Sequence, residues 1–300
     1  MSNTWRIGTR KSDLALWQAN QLADAFEKLG VLNRLIKIES TGDQNLTQPL
    51  YEMGIQGVFT KELDIALLNN QIDLAVHSLK DVPTQLATGI VLAGVLPRGN
   101  VYDILAYTQQ TPTDAPATIA SGSIRRRAQW LHKYPKHRFE NLRGNVQTRL
   151  QKLEASAWDG AIFAQVGLER LDLLPEKYEV LDWMIPAAAQ GAVGICVRES
   201  DTELIRIIQK FNCSQTWKAI QMERQFLRTL EGGCSAPIGA LATPTSEGWN
   251  FKGGLFSPDG SEALVVDTWV EANQWETKPQ LLAQEILNTG GQQIMSALSN

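Results

Sequence analysis

Short apolar runs alternate with amphipathic helical patterns along most of the chain, and this alternation restricts the possible fold more than any other feature of the sequence. Trp5–Gly8 has the pattern of a strand, and Asp13–Leu29 places its apolar side chains on one face of a helix. The pattern then predicts strands at Leu35–Glu39, Leu74–His77 and Val91–Leu96 and a helix at Lys61–Asn69. A strand–helix–strand order predicts a largely parallel sheet that is covered by helices.

A second α/β unit is predicted after a turn-rich stretch that contains Pro112 and Pro116. Its elements are the strands Thr118–Ser121, Phe139–Asn141 and Ala161–Ala164 and the helices Ser123–Lys133 and Val146–Ala155. Gly191–Arg198 is a further predicted strand, and it is placed to return to the first unit. Beyond it the predicted order is a helix up to Leu230, strands at Ala240–Ala242, Trp249–Phe256 and Ala263–Val270, and a helix from Lys278.

The length of 300 residues is too great for most single cores, so we expect several domains. The patterns predict two α/β domains and a small C-terminal α+β domain. Domain 1 comprises residues 1–97 and 191–212, domain 2 comprises 98–190, and domain 3 comprises 213–300.

The overall charge and the cysteines argue against several classes of protein. A formal net charge of -4 does not suit a general binder of nucleic acid or of anionic membranes. No apolar stretch is long enough for a signal peptide or a membrane span, so we expect a cytoplasmic protein. Cys196, Cys213 and Cys234 lack CxxC spacing and the histidines lack metal-ligand spacing, so we expect neither a disulfide framework nor a metal site.

Residues 125–152 are strongly basic, with nine lysines and arginines against the single acid Glu140. Most charge runs of this kind are solvated helix faces, and we assign Lys133, Lys136 and Arg138 to such a face. The arginines at predicted strand-to-helix junctions suit a different role. Arg10 follows the first predicted strand, and Arg125 and Arg126 follow the turn Ser121-Gly122-Ser123. Arg143 and Arg149 flank a third junction. There Gly144 turns the chain and Asn145 caps a helix.

Helix N-termini attract anions, and arginines at such ends cost stability unless an anion is bound. Ligands of open α/β sheets bind at the carboxyl ends of strands, and arginine favours bidentate binding of carboxylate or phosphate. The pattern therefore predicts a polyanionic ligand with several carboxylates. A nucleic acid is the weaker alternative, because the rest of the chain is acidic.

Two residues stand out beside these cations. Asp81, in VHSLKDVPT, is either a structural turn residue or a carboxylate that stabilises a developing cation or moves a proton. Cys234, in LEGGCSAPIG, is a nucleophile, a redox thiol or a packed core residue, and from the residues alone core packing is the safest interpretation.

Several segments together resemble the porphobilinogen deaminase family, also called hydroxymethylbilane synthases. The segments are RIGTRKSDLALWQA, TGDQ, KELDIALL, VHSLKDVPT, SGSIRRRAQ, NLRGNVQTRL, PAAAQGAVGI and ERQFLRTLEGGCSAPIG. The resemblance implies two α/β domains similar to type II periplasmic binding proteins and a smaller third domain. It also implies a monomeric transferase of tetrapyrrole biosynthesis. Such an enzyme condenses four porphobilinogen molecules onto a covalent dipyrromethane primer, releases ammonia, and frees linear hydroxymethylbilane by hydrolysis.

The resemblance also implies the roles of individual residues. Asp81 matches the catalytic aspartate, which we expect to assist loss of the aminomethyl nitrogen and to stabilise the resulting azafulvenium cation. The implied cofactor-binding residues are Cys234, which carries the thioether, and Ser78, Lys80, Ser123, Arg125, Arg126 and Arg143. The implied substrate-binding residues are Arg10, Ser12, Phe59, Arg143, Arg149 and Gln190. The chain departs from the family pattern at Gln56, where lysine is common, and at Ala189, where glycine is common.

A non-catalytic binding module for a polycarboxylate is the alternative function. It explains the two α/β units and the arginines equally well, but it gives no role to Asp81 or Cys234. We expect porphobilinogen as the small-molecule partner, with no nucleic-acid and no membrane partner.

Overall fold

The computed structural model describes residues 4–39, 60–108, 116–230 and 236–298, in which short strands and helices alternate. The strands are β1 (Trp5–Thr9), β2 (Asn33–Lys37), β3 (Leu74–Ser78), β4 (Ile90–Val95), β5 (Asp103–Ala106), β6 (Thr118–Ala120), β7 (Arg138–Glu140), β8 (Gly160–Ala164), β9 (Tyr178–Leu181), β10 (Val193–Arg198), β11 (Ile238–Pro244), β12 (Gly248–Phe256) and β13 (Ala263–Glu271). The helices are α1 (Asp13–Lys28), α2 (Lys61–Leu68), α3 (Ile124–Lys133), α4 (Val146–Ala155), α5 (Gln165–Glu169), α6 (Thr202–Gln209), α7 (Ser214–Thr229), α8 (Lys278–Ile286) and α9 (Gln292–Leu298).

The first unit contains residues 4–39, 60–99 and 191–217 and is built on a five-stranded sheet of order β2-β1-β3-β10-β4. Strand β1 pairs in parallel with β2 and β3, whereas β10 pairs antiparallel with β3 and β4. On one face of the sheet α1 packs Leu22 and Phe26 against Ile7 and Leu74. On the other face α2 contributes a second apolar cluster. The sheet is therefore covered on both faces, which leaves its strand ends for ligands.

The second unit contains residues 100–108, 116–190, 218–230 and 236–298 and has two sheets. The first sheet has the order β7-β6-β8-β5-β9, with parallel pairs at β6–β7 and β6–β8 and antiparallel pairs at β5–β8 and β5–β9. The second sheet is antiparallel, in the order β11-β12-β13, and packs on α7 and α8 around Phe226, Phe251 and Leu282. A Cβ added to Gly253 would lie 2.5 Å from the Phe226 ring, so a glycine is required for this close packing.

The structure confirms the predicted fold class, with two α/β sheets and a separate C-terminal sheet with helices. It also confirms that the strand near residue 191 returns to the first sheet. The expectation of largely parallel sheets is confirmed in strand direction, since four of the five strands in each α/β sheet run the same way. The exceptions are β10 and β5, which are reversed and each create two antiparallel pairs. The three-domain boundaries stay a prediction. Among the described residues no helix is both long and apolar enough to cross a membrane.

Candidate active site

The carboxyl ends of β1 and β3 bring five of the predicted site residues to one edge of the first sheet. Arg10 directly follows β1, and the hydroxyl of Ser12 caps α1 by accepting a hydrogen bond from the backbone N–H of Ala15 at 3.4 Å. Ser78 ends β3, and its hydroxyl accepts a hydrogen bond from the Gln18 amide at 2.8 Å. Because β1 and β3 run in parallel, these residues share the edge at which α/β sheets bind ligands.

Lys80 and Asp81 follow in a 3₁₀ turn, Leu79–Asp81. The turn is fixed by the buried Leu79, whose backbone N–H donates to the carbonyl of Ala192 at 3.0 Å. Asp81 is half-buried, and its carboxylate has no hydrogen bond or ion pair with any other described residue. The carboxylate is thus held by the backbone of the turn, while its own oxygens are available to a ligand.

His77 is buried one residue before Ser78. Burial, with a smaller contribution from the nearby charge of Arg10, lowers the pKa of His77 to about 4. The imidazole is therefore neutral at physiological pH, and it adds no positive charge beside Arg10 and Lys80.

In the second unit, a buried network centres on Asp103, at the start of β5. Arg125 donates to Asp103 Oδ2 at 2.6 Å and to the Ile185 carbonyl at 2.7 Å. Arg126 donates to Asp103 Oδ1 at 2.8 Å and to the Ile162 carbonyl at 2.8 Å. The fully buried Gln190 also donates to Asp103 Oδ1, at 3.0 Å.

Asp103 is the residue that sequence reasoning missed. The sequence feature that could have identified Asp103 is its position as an acidic residue at the start of the apolar run Asp103-Ile104-Leu105-Ala106. Burial lowers the pKa of Arg125, and the charge of Asp103 opposes that shift. Asp103 is thus an internal anion that offsets the predicted cost of placing Arg125 and Arg126 at a helix N-terminus. Two guanidinium groups against one carboxylate leave a net positive charge in the network.

The β7–α4 junction has the predicted arrangement. Asn145 caps α4, with its side-chain oxygen accepting from the Thr148 N–H at 2.8 Å, and Gly144 has a φ of 119°. Arg149 Nε donates to the Gly144 carbonyl at 2.7 Å, which orients its guanidinium at the turn. Arg143 is buried, and burial lowers the pKa of its guanidinium.

Strands β6 and β7 are parallel, so Ser123 and Arg143, which follow them, lie at the same edge of their sheet. Ser123 also caps α3, since its hydroxyl accepts from the Arg126 N–H at 3.5 Å. Lys133, Lys136 and Arg138 are exposed, as predicted for a solvated face.

The predicted residues thus form one cluster in each unit. The first contains Arg10, Ser12, Ser78, Lys80 and Asp81, and the second contains Ser123, Arg125, Arg126, Arg143, Arg149 and Gln190. Phe59, Cys234 and the departure at Gln56 lie outside the described residues. Ala189 has a φ of 61°, a left-handed conformation that favours the glycine common in the family.

Fold and site together define an α/β protein with cationic strand ends in two sheets and an ionisable carboxylate beside one of them. A porphobilinogen deaminase family model, "dipyromethane cofactor binding domain", matches residues 5–206, and the model of that family's C-terminal domain matches residues 217–288. The chain belongs to the porphobilinogen deaminase family, which is a family of transferases of tetrapyrrole biosynthesis.

Relatives from distant organisms are similar over most of the chain. Porphobilinogen deaminase of Pelotomaculum thermopropionicum is 37% identical over 96% of this chain and 95% of its own length. The chloroplastic porphobilinogen deaminase of Oryza sativa subsp. japonica is 43% identical over 85% of this chain and 75% of its own length. A probable porphobilinogen deaminase of Methanocaldococcus jannaschii is 42% identical over 79% of this chain and 82% of its own length.

Solved structures show a weaker likeness. The VFT2 domain of Bordetella pertussis BvgS is 14% identical over 69% of this chain and 85% of its own, with a TM-score of 0.43. An ancestral arginine-binding protein is 14% identical over 70% of this chain and 90% of its own, with a TM-score of 0.37. These scores are too low to carry an argument, so the fold is defined by the strand pairing described above.

Proposed function

We propose that this chain is a hydroxymethylbilane synthase in which Asp81 serves the chemistry and Cys234 carries a dipyrromethane primer through a thioether. Four porphobilinogen molecules are joined to the primer in turn, and water releases the linear hydroxymethylbilane. The observation that carries the proposal is the carboxylate of Asp81, which lies at the cationic edge of the first sheet without a partner among the described residues.

Asp81 acts on the leaving group of porphobilinogen. Loss of ammonia from the aminomethyl carbon leaves a cationic electrophile, and a fixed carboxylate beside it lowers the barrier by charge stabilisation. The same carboxylate accepts hydrogen bonds from pyrrole N–H groups. Arg10 lies nearby at the same sheet edge, and it would bind the carboxylates of the incoming ring.

The residues of the second cluster fit a primer that bears several carboxylates. Arg143, Arg149 and Ser123 provide guanidinium and hydroxyl donors at one sheet edge, and Arg126 Nε is buried without a hydrogen-bond partner among the described residues. The primer, which when bound supplies the nucleophilic pyrrole carbon, would be held by Ser78, Lys80, Ser123, Arg125, Arg126 and Arg143. Arg149 and Gln190 would bind substrate, and Arg125 and Gln190 would each serve in their role while they also hold Asp103.

The proposal includes two properties expected from the sequence, a monomeric state and a cytoplasmic location. Size-exclusion chromatography with light scattering tests the first, and fractionation of the native cell tests the second. A dimer would contradict the first, and recovery of the protein in a membrane or exported fraction would contradict the second.

Substitution of Asp81 tests the catalytic role. We expect Asp81→Asn to lower porphobilinogen turnover by about a hundred- to ten-thousand-fold, because the stabilising charge is lost. Asp24→Asn, on the exposed face of α1, removes a carboxylate away from the site and serves as the control. Ammonia release and circular dichroism are measured on both variants. Turnover of a folded Asp81→Asn variant at the rate of the control would show that the assignment is wrong.

A further inference from the structure

A cavity of about 410 Å³ lies within the second unit. It is lined by the end of α3, the segment after β9, and β12 and β13; the residues are Gln129, His132, Lys133, Trp183, Ile185, Lys252, Phe256, Ala263 and Val265. Ser123 is at the opposite end of the ten-residue helix α3, about 15 Å away along its axis. The cavity therefore lies at the far end of α3 from Ser123, although Ile185 in its wall accepts a hydrogen bond from Arg125 at 2.7 Å. Its volume lies in the range typical of small-molecule sites.

The walls of the cavity are largely apolar and well fixed. Ile185 and Phe256 are buried and pack together, while Ala263 and Val265 extend the apolar surface along β13. Gln129 holds Ile185 through two hydrogen bonds, one to its carbonyl at 2.9 Å and one from its N–H at 2.8 Å. Because the amide nitrogen and oxygen of Gln129 both form these hydrogen bonds, Gln129 fixes the position of Ile185 in the cavity wall.

The charged groups that line the cavity are all basic. Lys133 Nζ lies 4.2 Å from the ring centroid of Trp183, where a cation–π interaction restricts it. Lys252 Nζ lies 3.4 Å from Asp267, which does not line the cavity, and both partners are exposed enough for the pair to be weak. His132 Nδ1 lies 2.9 Å from the Gly260 carbonyl, which can only accept, so the proton is on Nδ1.

Trp183 contributes its ring to the cavity wall, and the Lys133 ammonium lies over that ring. Its indole N–H is buried and has no acceptor among the described residues.

We propose that this cavity binds a small aromatic carboxylate. The ring of the ligand packs against Ile185, Phe256 and Val265, and its carboxylate interacts with Lys133 and Lys252. The proposal does not depend on Asp81 or Cys234, and binding is measured without turnover.

Calorimetric titration of the holoenzyme with 2-naphthoate tests the site. We expect saturable binding that weakens about tenfold or more in the double variant Lys133→Gln/Lys252→Gln, since charge-assisted contacts are lost. The neutral 2-naphthylmethanol should bind wild type more weakly by a similar factor. The control double variant Lys136→Gln/Lys177→Gln removes two exposed lysines of the same unit outside the cavity and should bind as wild type does.

Trp183→Leu tests the cation–π contact, because it keeps an apolar side chain and removes the ring that restricts Lys133. We expect weaker naphthoate binding in this variant, with circular dichroism reporting that the fold is retained. Absence of saturable binding to wild type would overturn the proposal. Equal loss of affinity in the two lysine double variants, or unchanged affinity in Lys133→Gln/Lys252→Gln, would place the naphthoate elsewhere and would overturn it as well.

Discussion

At the scale of single residues, Asp103 controls the electrostatics of the second unit. It pairs with Arg125 and Arg126 at 2.6 and 2.8 Å, and all three side chains are buried. Charges removed from water are tolerated when their partners and hydrogen bonds are in place, and they are costly when one partner is lost. Asp103 is therefore both a stabilising residue and the group that positions two arginines of the proposed primer site.

We expect Asp103→Asn to lower the free energy of unfolding by about 3–5 kcal/mol, because it leaves two buried guanidinium groups without a compensating charge. Urea unfolding followed by circular dichroism measures the change. Asp267→Asn, which breaks an exposed pair with Lys252, is the matched control and should leave the midpoint unchanged. Equal midpoints for the two variants would contradict the buried-pair account.

His77 predicts a particular dependence of stability on pH. Its pKa is about 4 in the folded protein, below the ordinary value of 6.5, so the unfolded chain binds the proton more readily. The contribution of neutral His77 is complete above about pH 6.5 and is lost as the pH falls toward 4, by about 3 kcal/mol in all. We expect His77→Gln to flatten this part of the stability curve in urea titrations between those pH values. A wild-type slope in His77→Gln would show that the assignment is wrong.

The sequence was sufficient to predict local roles such as helix caps and turns, but it did not predict which residues distant in the chain contact each other. Asn145 and Gly144 could be assigned because a cap and a left-handed turn are local features. The link from Arg125 to Asp103 spans 22 residues and joins two elements, so no local pattern contains it. The same is true of the cavity at Trp183, whose lining comes from four separate segments.

At the scale of secondary-structure elements, the strand-to-helix junctions position both the helices and the residues of the candidate site. Helix α4 was predicted with its observed ends, Val146 and Ala155, because it has a cap and a clear apolar face. Strands β5 and β9 were missed. β5 begins with a charged residue, and β9 is exposed except at Leu181, so neither shows a two-residue apolar period.

Gly144 tests how far the β7–α4 junction determines binding. A Cβ at this position would lie 2.9 Å from Thr148 Cγ2, at a φ that side chains rarely adopt, so we expect Gly144→Ala to displace the start of α4 and Arg149 with it. Steady-state kinetics should show a raised KM for porphobilinogen. Gly30→Ala introduces a similar backbone strain at φ 70°, with open space around its Cβ, and serves as the control. A kinetic effect of the same size in both variants would contradict a specific role for the junction.

At the scale of the whole molecule, the chain has two α/β sheets of related design and a third, antiparallel sheet. The order of elements along the sequence was enough to predict this division into sheets. It was not enough to predict their mixed pairing, because strand direction depends on where a connection re-enters the sheet. Asp81 belongs to the first unit with Arg10, Ser78 and Lys80, and the remaining arginines proposed for anion binding belong to the second unit. Cys234 lies outside the described residues.

The intact mass of the purified protein tests the central claim most directly, because the proposed function requires a covalent primer on Cys234. We predict a mass above that of the polypeptide by one two-ring pyrrole adduct, present in wild type and in Cys213→Ser and absent in Cys234→Ser. A wild-type chain of unmodified mass that still turns over porphobilinogen would contradict the account.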